Sequence, residues 1–171
     1  MMVEETVDVV DEHDRVVAAV KRSEIRSQNL RHRAVYILVF NRAGQLFVHQ
    51  RSRSKDVFPG FWDTAIGGVL SSGESYDEAA HRELAEELGV KGVSLRRLFP
   101  FRFEDSATRI AGMVYSCSHD GPFLLQAAEI DCGMWEDLDR VIERAQHDSF
   151  CPDSLEALLL YLDKLATARS G

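Results

Sequence analysis

GGVLSSGESYDEAAHRELAEELGV, residues 67–90, gathers Glu83, Glu86 and Glu87 on one predicted helix, two of them in its last turn. Ser75-Tyr76-Asp77-Glu78 fits the S-x-x-E capping box, so Ser75 is the expected N-cap. Gly89 is expected just beyond the other end, where left-handed backbone suits glycine, with Val90 supplying an apolar contact past it. The helix therefore runs from Tyr76 to Leu88. At ~100° per residue the three glutamates share an arc of about 100°. Ala79 and Ala80 lie beside that arc one turn earlier, where small side chains leave room for something to approach. Leu84 and Leu88 flank it and are expected to bury against a sheet.

Helix stability does not ask for this arrangement. Carboxylates near a helix C-terminus oppose the macrodipole at ~0.3–1 kcal/mol each. Glu83 and Glu87, four apart and alike in charge, add a few tenths. Arg82 offsets part of this with Glu78 or Glu86. Two readings follow from the helix alone: a solvated acidic face, or a site for a hard divalent cation, which takes oxygen ligands.

The rest of the chain narrows the setting. At 171 residues and 45% hydrophobic, it is long and apolar enough for one packed domain. A net charge of -8 disfavours a broad grip on nucleic acid. The acidic start, MMVEETVDVV, lacks the apolar core of a signal peptide, and AVYILVF and LEALLLYL are too short to span a bilayer. Cys117, Cys132 and Cys151 form neither a disulfide framework nor a zinc spacing. A soluble cytoplasmic protein, monomer or homodimer, is the expectation.

TVDVVDEHDRVVAAV reads as a hairpin with Asp11–Asp14 at its tip, and KRSEIRSQNL as a short helix, so residues 1–30 form a hairpin and lead-in. AVYILVF reads as a central strand buried on both faces. QLFVHQR follows it as a strand, RSKDVFPGFWD as a loop and TAIGGVL as another strand. GVSLRRLFPFRFED and TRIAGMVYSCS read as two more strands. WEDLDRVIERAQ and PDSLEALLLYLDKLA read as C-terminal helices. The pattern is α/β, a mixed sheet with helices on both sides, in one domain spanning 1–171.

The quoted stretch resembles the Nudix signature G-x5-E-x7-R-E-U-x-E-E-x-G-U. It matches at Gly68, Glu74, Arg82, Glu83, Leu84, Glu86, Glu87, Gly89 and Val90. The resemblance implies an α/β/α sandwich with a mixed β-sheet, and hydrolysis of a diphosphate linked to another group. Such hydrolysis needs charge neutralised on phosphate oxygens and a positioned water. By the same resemblance Glu83, Glu86 and Glu87 hold Mg²⁺ or Mn²⁺, and the Gly67 carbonyl completes the shell. Glu74 pairs with Arg82. One box glutamate, Glu83 for example, takes the water's proton, or else a carboxylate outside the box does, Glu104 and Glu129 being candidates.

LRHRAVYILVFNRAGQLFVHQRSRSKDVFPGFWDTAIGG looks like the isopentenyl-diphosphate isomerase branch of that family. The branch holds diphosphate with an arginine and a lysine that match Arg51 and Lys55. Its catalytic Cys-Gly-His is replaced here by Gly67-Gly68-Val69, and its later glutamates fall near Thr108-Arg109-Ile110. His32, without ligand partners, reads as structural. The resemblance thus favours a hydrolase of small-molecule diphosphates, nucleotides above all. The alternatives are an isomerase-like enzyme and a nucleotide sensor without turnover. Trp62, Phe58, Phe61, Phe101 and Phe103 are either core aromatics or a stacking surface for a base.

Overall fold

The apolar run expected at the centre of the sheet is there for a physical reason: its side chains alternate between two separate cores. In the computed structural model, which describes residues 3–171, it forms β3 (Arg31–Phe40). Ala34, Tyr36 and Leu38 enter one apolar cluster; Val35, Ile37 and Val39 enter the other. A strand buried on both faces needs no polar alternation, which is why it reads as a continuous apolar run.

Around β3 lie β1 (Thr6–Val10), β2 (Val16–Lys21), β4 (Leu46–Arg51), β5 (Trp62–Asp63), β6 (Ile66–Val69), β7 (Arg96–Glu104), β8 (Arg109–Ser118) and β9 (Ile130–Glu136). Together they make a nine-stranded sheet. β8 runs parallel to β3 along its whole length, while the other pairings are antiparallel, so the sheet is mixed. With β8 occupying one edge, the other edge of β3 is shared in turn by β1 at His32, β6 at Ala34–Ile37 and β4 at Phe40.

The helices are α1 (Arg22–Ser27), α2 (Tyr76–Leu88), α3 (Leu138–Arg144) and α4 (Pro152–Arg169). α2 covers one face through Ala79, Ala80, Leu84 and Leu88. α3 and α4 cover the other through Val141, Ala157 and Leu158. This is the expected α/β/α sandwich. The hairpin of β1 and β2 and the short α1 also stand where the sequence placed them; Met1 and Met2 of that span lie outside the described residues.

Two strands escaped the sequence reading. Trp135 and Glu136, expected to begin a helix, close β9, and α3 begins only at Leu138 after Asp137. IDCGMWE lacks both an apolar run and clean alternation. Its strand character comes from backbone pairing with β4, from Arg51↔Ile130 to Leu46↔Glu136, which no local pattern encodes. The expected loop after β4 likewise contains the two-residue β5, paired to His49 and Gln50.

Candidate active site

α2 is capped as its sequence dictates. Glu78 N–H donates to Ser75 Oγ (3.2 Å) and Ser75 N–H to Glu78 Oε2 (2.9 Å). Gly89 takes φ 68° at the far end. The three glutamates do not share one environment. Glu83 and Glu87 are buried, at 8% and 7% exposure, while Glu86 faces solvent. A fully solvated acidic face is therefore excluded. Ala79 and Ala80 correct the reading of them as open space: both are completely buried, and their small side chains let α2 sit close on the sheet.

Arg82 organises the box. Its Nε and Nη2 donate to Glu74 Oε1 and Oε2 (2.7 and 2.9 Å), and Nη2 also reaches the Val69 carbonyl (3.2 Å). Nη1 donates to Glu83 Oε1 (2.8 Å) and more loosely to Glu86 Oε2 (3.3 Å). Glu78, occupied by the cap, is not its partner. Glu74 in turn accepts from Ser71 N–H (3.0 Å), pinning the loop to the helix. Gly68 is required by the same packing, since a Cβ there would stand 2.4 Å from Glu83 Oε1. At Gly67 a Cβ would stand 1.9 Å from the Val35 carbonyl oxygen, so β6 can pair with β3 only without a side chain at that position.

Burial pushes Glu83 up to about 7, against the pull of Arg82 and with Glu86 and Glu129 adding repulsion. Glu87 is also raised well above the ordinary carboxylate range, first by burial, then by Glu83, Asp63 and Glu129, with Lys55 as its counterweight. Two buried carboxylates, both held above their usual range despite Arg82 and Lys55, fit a hard divalent cation. Among the described residues, no three His, Cys, Asp or Glu side chains stand together at ligand separation. Arg82 is the neighbour that Glu83 and Glu86 use.

Beside these carboxylates lies a cavity of about 360 Å³. β3 and β4 share one register pair, Phe40↔Leu46, and then part. β6 stays with β3 and β5 with β4, and the cavity is lined from both sides of that gap. Gly67, Gly68, Val69, Glu87, Arg51, Lys55 and Glu129 border it. Both cations are engaged. Arg51 donates through Nε and Nη2 to the Val57 carbonyl (3.1 and 2.9 Å) and lies 3.5 Å from Asp63; Lys55 is 2.5 Å from Glu129. Glu104 stands apart, paired with Arg31 (2.5 Å) and Arg109 (3.7 Å) and absent from the cavity lining.

His32 is buried with Nδ1 3.0 Å from the Leu30 carbonyl, and it also lines the cavity. Of the five aromatics weighed for stacking, Phe58 alone lines the cavity. Phe101 and Phe103 are core, Phe101 edge-on to Tyr36, and Trp62 packs beneath Arg144. Sequence reasoning missed Tyr36, Asp63, Cys151 and Asp153, which close the cavity, and Arg22 and Arg26 of α1, which stand at its mouth. Asp153 reads in sequence only as first-turn acid on α4, with no sign of its bond from Tyr36 across 117 positions (2.7 Å).

A family model described as NUDIX domain matches residues 30–158. An uncharacterised Nudix hydrolase of Yersinia pestis is 45% identical, over 94% of this chain and 87% of its own length. One from Pseudomonas aeruginosa is 44% identical, over 90% and 91%. The crystal structure of DR0079 from Deinococcus radiodurans superposes with a TM-score of 0.80 at 32% identity, covering 90% of this chain and 96% of that one.

Proposed function

Because this chain belongs to the Nudix hydrolase family, we propose that it is a divalent-metal-dependent pyrophosphohydrolase acting on a nucleoside di- or triphosphate or a nucleoside-diphosphate derivative. The observation that carries the reading is buried Glu87 at the border of a cavity that also holds Arg51 and Lys55, with buried Glu83 beside it on the same helix. Buried carboxylates and cations side by side suit a ligand that brings both phosphate and metal.

Glu83, Glu87 and, after a turn of its exposed side chain, Glu86 would hold Mg²⁺ or Mn²⁺ with the Gly67 carbonyl. The ion, when bound, neutralises phosphate charge and lowers the pKa of a bound water. Arg82, itself held by Glu74, keeps Glu83 in place and would release Glu86 to the ion. Arg51 and Lys55 orient the diphosphate; each must exchange a protein partner for phosphate, Lys55 leaving Glu129. Glu129, so released beside Glu83 and Glu87, is the better placed outside base, since Glu104 is held by two arginines away from the cavity. The whole chain, 1–171, works as one domain. No helix among the described residues is long and apolar enough to cross a membrane, and a cytoplasmic small-molecule enzyme is the setting we propose.

The isomerase alternative finds no thiol at Gly67 and no space for one. Incubation with Mg²⁺ and a panel of nucleotides and other diphosphates tests the proposal. Release of monophosphate or diphosphate is expected. Binding without turnover across the panel would favour a sensor instead.

A further inference from the structure

The cavity has two chemically different ends. Arg22, Arg26, Lys55 and Asp56 stand exposed or half-exposed at its mouth. Tyr36, Asp63, Cys151 and Asp153 close its inner end, the first three at 6%, 7% and 2% exposure. At the inner end acceptors predominate, with Arg51 the cation that reaches Asp63. The Tyr36 hydroxyl is spent on Asp153 Oδ2 (2.7 Å). Asp63 receives the Ala65 N–H (3.1 Å) and has Arg51 at 3.5 Å. Burial, with the nearby charge of Asp63, pushes the Asp153 carboxyl above its usual range. A carboxylate in such a place gains most from a ligand that supplies an N–H.

The wall between the ends suits a flat ring. Ala34, Val35 and Ile110 offer apolar surface. Phe58 faces the same cavity from backbone at φ 49°, a left-handed region that strains a non-glycine residue. The neighbouring Val57 carbonyl is held there by Arg51, and the Phe58 carbonyl accepts from Phe61 N–H (3.2 Å).

We propose that the inner end recognises the exocyclic amino group of the substrate's nucleobase, with Asp153, steadied by Tyr36, accepting its N–H. The inference rests on the hydrolase reading and names the substrate class within it: nucleotides whose base carries an amino group. A base with a carbonyl oxygen in that place would set acceptor against acceptor, and a site built around a hydrogen bond rejects the analogue that cannot make it. Asp153 also lies in the first turn of α4, where an acid favours the helix dipole. That role alone predicts no choice between bases.

The test uses two pairs in which the exocyclic amino group is exchanged for a carbonyl and the adjacent ring nitrogen gains a proton, CDP with UDP and ADP with IDP. kcat/KM is measured with Mg²⁺, and Kd by calorimetry. The wild type should favour the amino member of at least one pair by about tenfold or more. Asp153→Asn should bring the ratio close to one, chiefly through KM. Tyr36→Phe, which keeps the ring and frees the carboxylate, should lower it in part. Equal treatment of both pairs by the wild type overturns the proposal. So does an unchanged ratio in Asp153→Asn with its melting temperature retained, or failure to bind any of the four. Selective binding that Asp153→Asn abolishes, without hydrolysis, upholds the recognition and sinks the hydrolase reading. Hydrolysis without selectivity does the reverse.

Discussion

Each box glutamate has a separate task and a separate consequence when changed. Glu87 is buried, faces Glu83 and sits in the last turn of α2, where the dipole also opposes it. Glu87→Gln removes a poorly compensated acid, so in EDTA the variant should melt at or above the wild type, by roughly 0.5–1 kcal/mol from dipole and pair repulsion. The same change removes a proposed metal ligand. Turnover should fall by orders of magnitude, and Mg²⁺ should raise the melting temperature less than in the wild type. Full activity with normal Mg²⁺ stabilisation would end the case for Glu87 as a ligand. Glu83 carries a pH signature. Its carboxyl is raised to about 7 in the fold against an ordinary 4.5. Between those values the folded state holds a proton that the unfolded state has lost, so stability falls as pH rises through the window and levels off above it. Melting in EDTA from pH 4.5 to 8 should show this decline, and Glu83→Gln should lessen it, with Glu87, raised likewise, keeping a share. Lys55→Ala and Arg51→Ala should each lower kcat/KM by about tenfold or more, the scale of a charge-assisted phosphate contact. Arg51→Ala should also loosen the loop it ties at Val57, whereas Lys55→Ala leaves the melting temperature near that of the wild type.

At the level of elements, α2 and β6 form one device, a loop and helix locked by Arg82 to Glu74, Glu83 and Val69. Its geometry depends on residues that do no chemistry. Gly67 and Gly68 are glycines because backbone and carboxylate occupy the space of a side chain. Gly67→Ala, with Val35 in the way, should destabilise by about 1–3 kcal/mol or displace β6 from β3. Chemical denaturation measures the first outcome, and loss of activity without loss of fold marks the second. An unchanged midpoint and activity would mean that β6 yields freely. Gly89, at φ 68° with Leu124 Cβ 3.1 Å from where its own would be, closes the helix so that Val90 can bury.

At the scale of the molecule, the gap where β3 and β4 part brings together strands, α2, α1 and the start of α4 around one cavity. α1 lies before residue 30, outside the span that the family model matches, yet Arg22, Ile25 and Arg26 wall the mouth. The chain therefore shapes its entrance with its own N-terminal segment. Activity should require Mg²⁺ or Mn²⁺ and vanish in excess EDTA, since the carboxylates alone add negative charge where phosphate needs positive. Thermal melts with increasing Mg²⁺ should rise in parallel, and full turnover in chelator would overturn the metal mechanism.

The amino-acid sequence by itself determined the central strand, the N-terminal hairpin, the capped helix α2 and the clustering of its glutamates. Each is encoded locally, by an apolar run, by turn residues, by Ser75 with Glu78, or by 3.6-residue spacing. The Glu74–Arg82 pair was legible too, because the motif that carries it is continuous. Only the tertiary structure decided that Glu83 and Glu87 are buried while Glu86 is not, that Ala79 and Ala80 are packing residues, and that Lys55 is partnered by Glu129. It also decided that Glu104 is away from the cavity and that β9 is a strand at all. The inner end of the cavity lay furthest from view. Tyr36, Asp63 and Asp153 come from β3, β5 and α4, and each alone resembles an ordinary core tyrosine, loop acid or first-turn acid. Burial and pairing across such distances depend on the whole sheet's curvature and register, and a pattern read along the chain does not contain them.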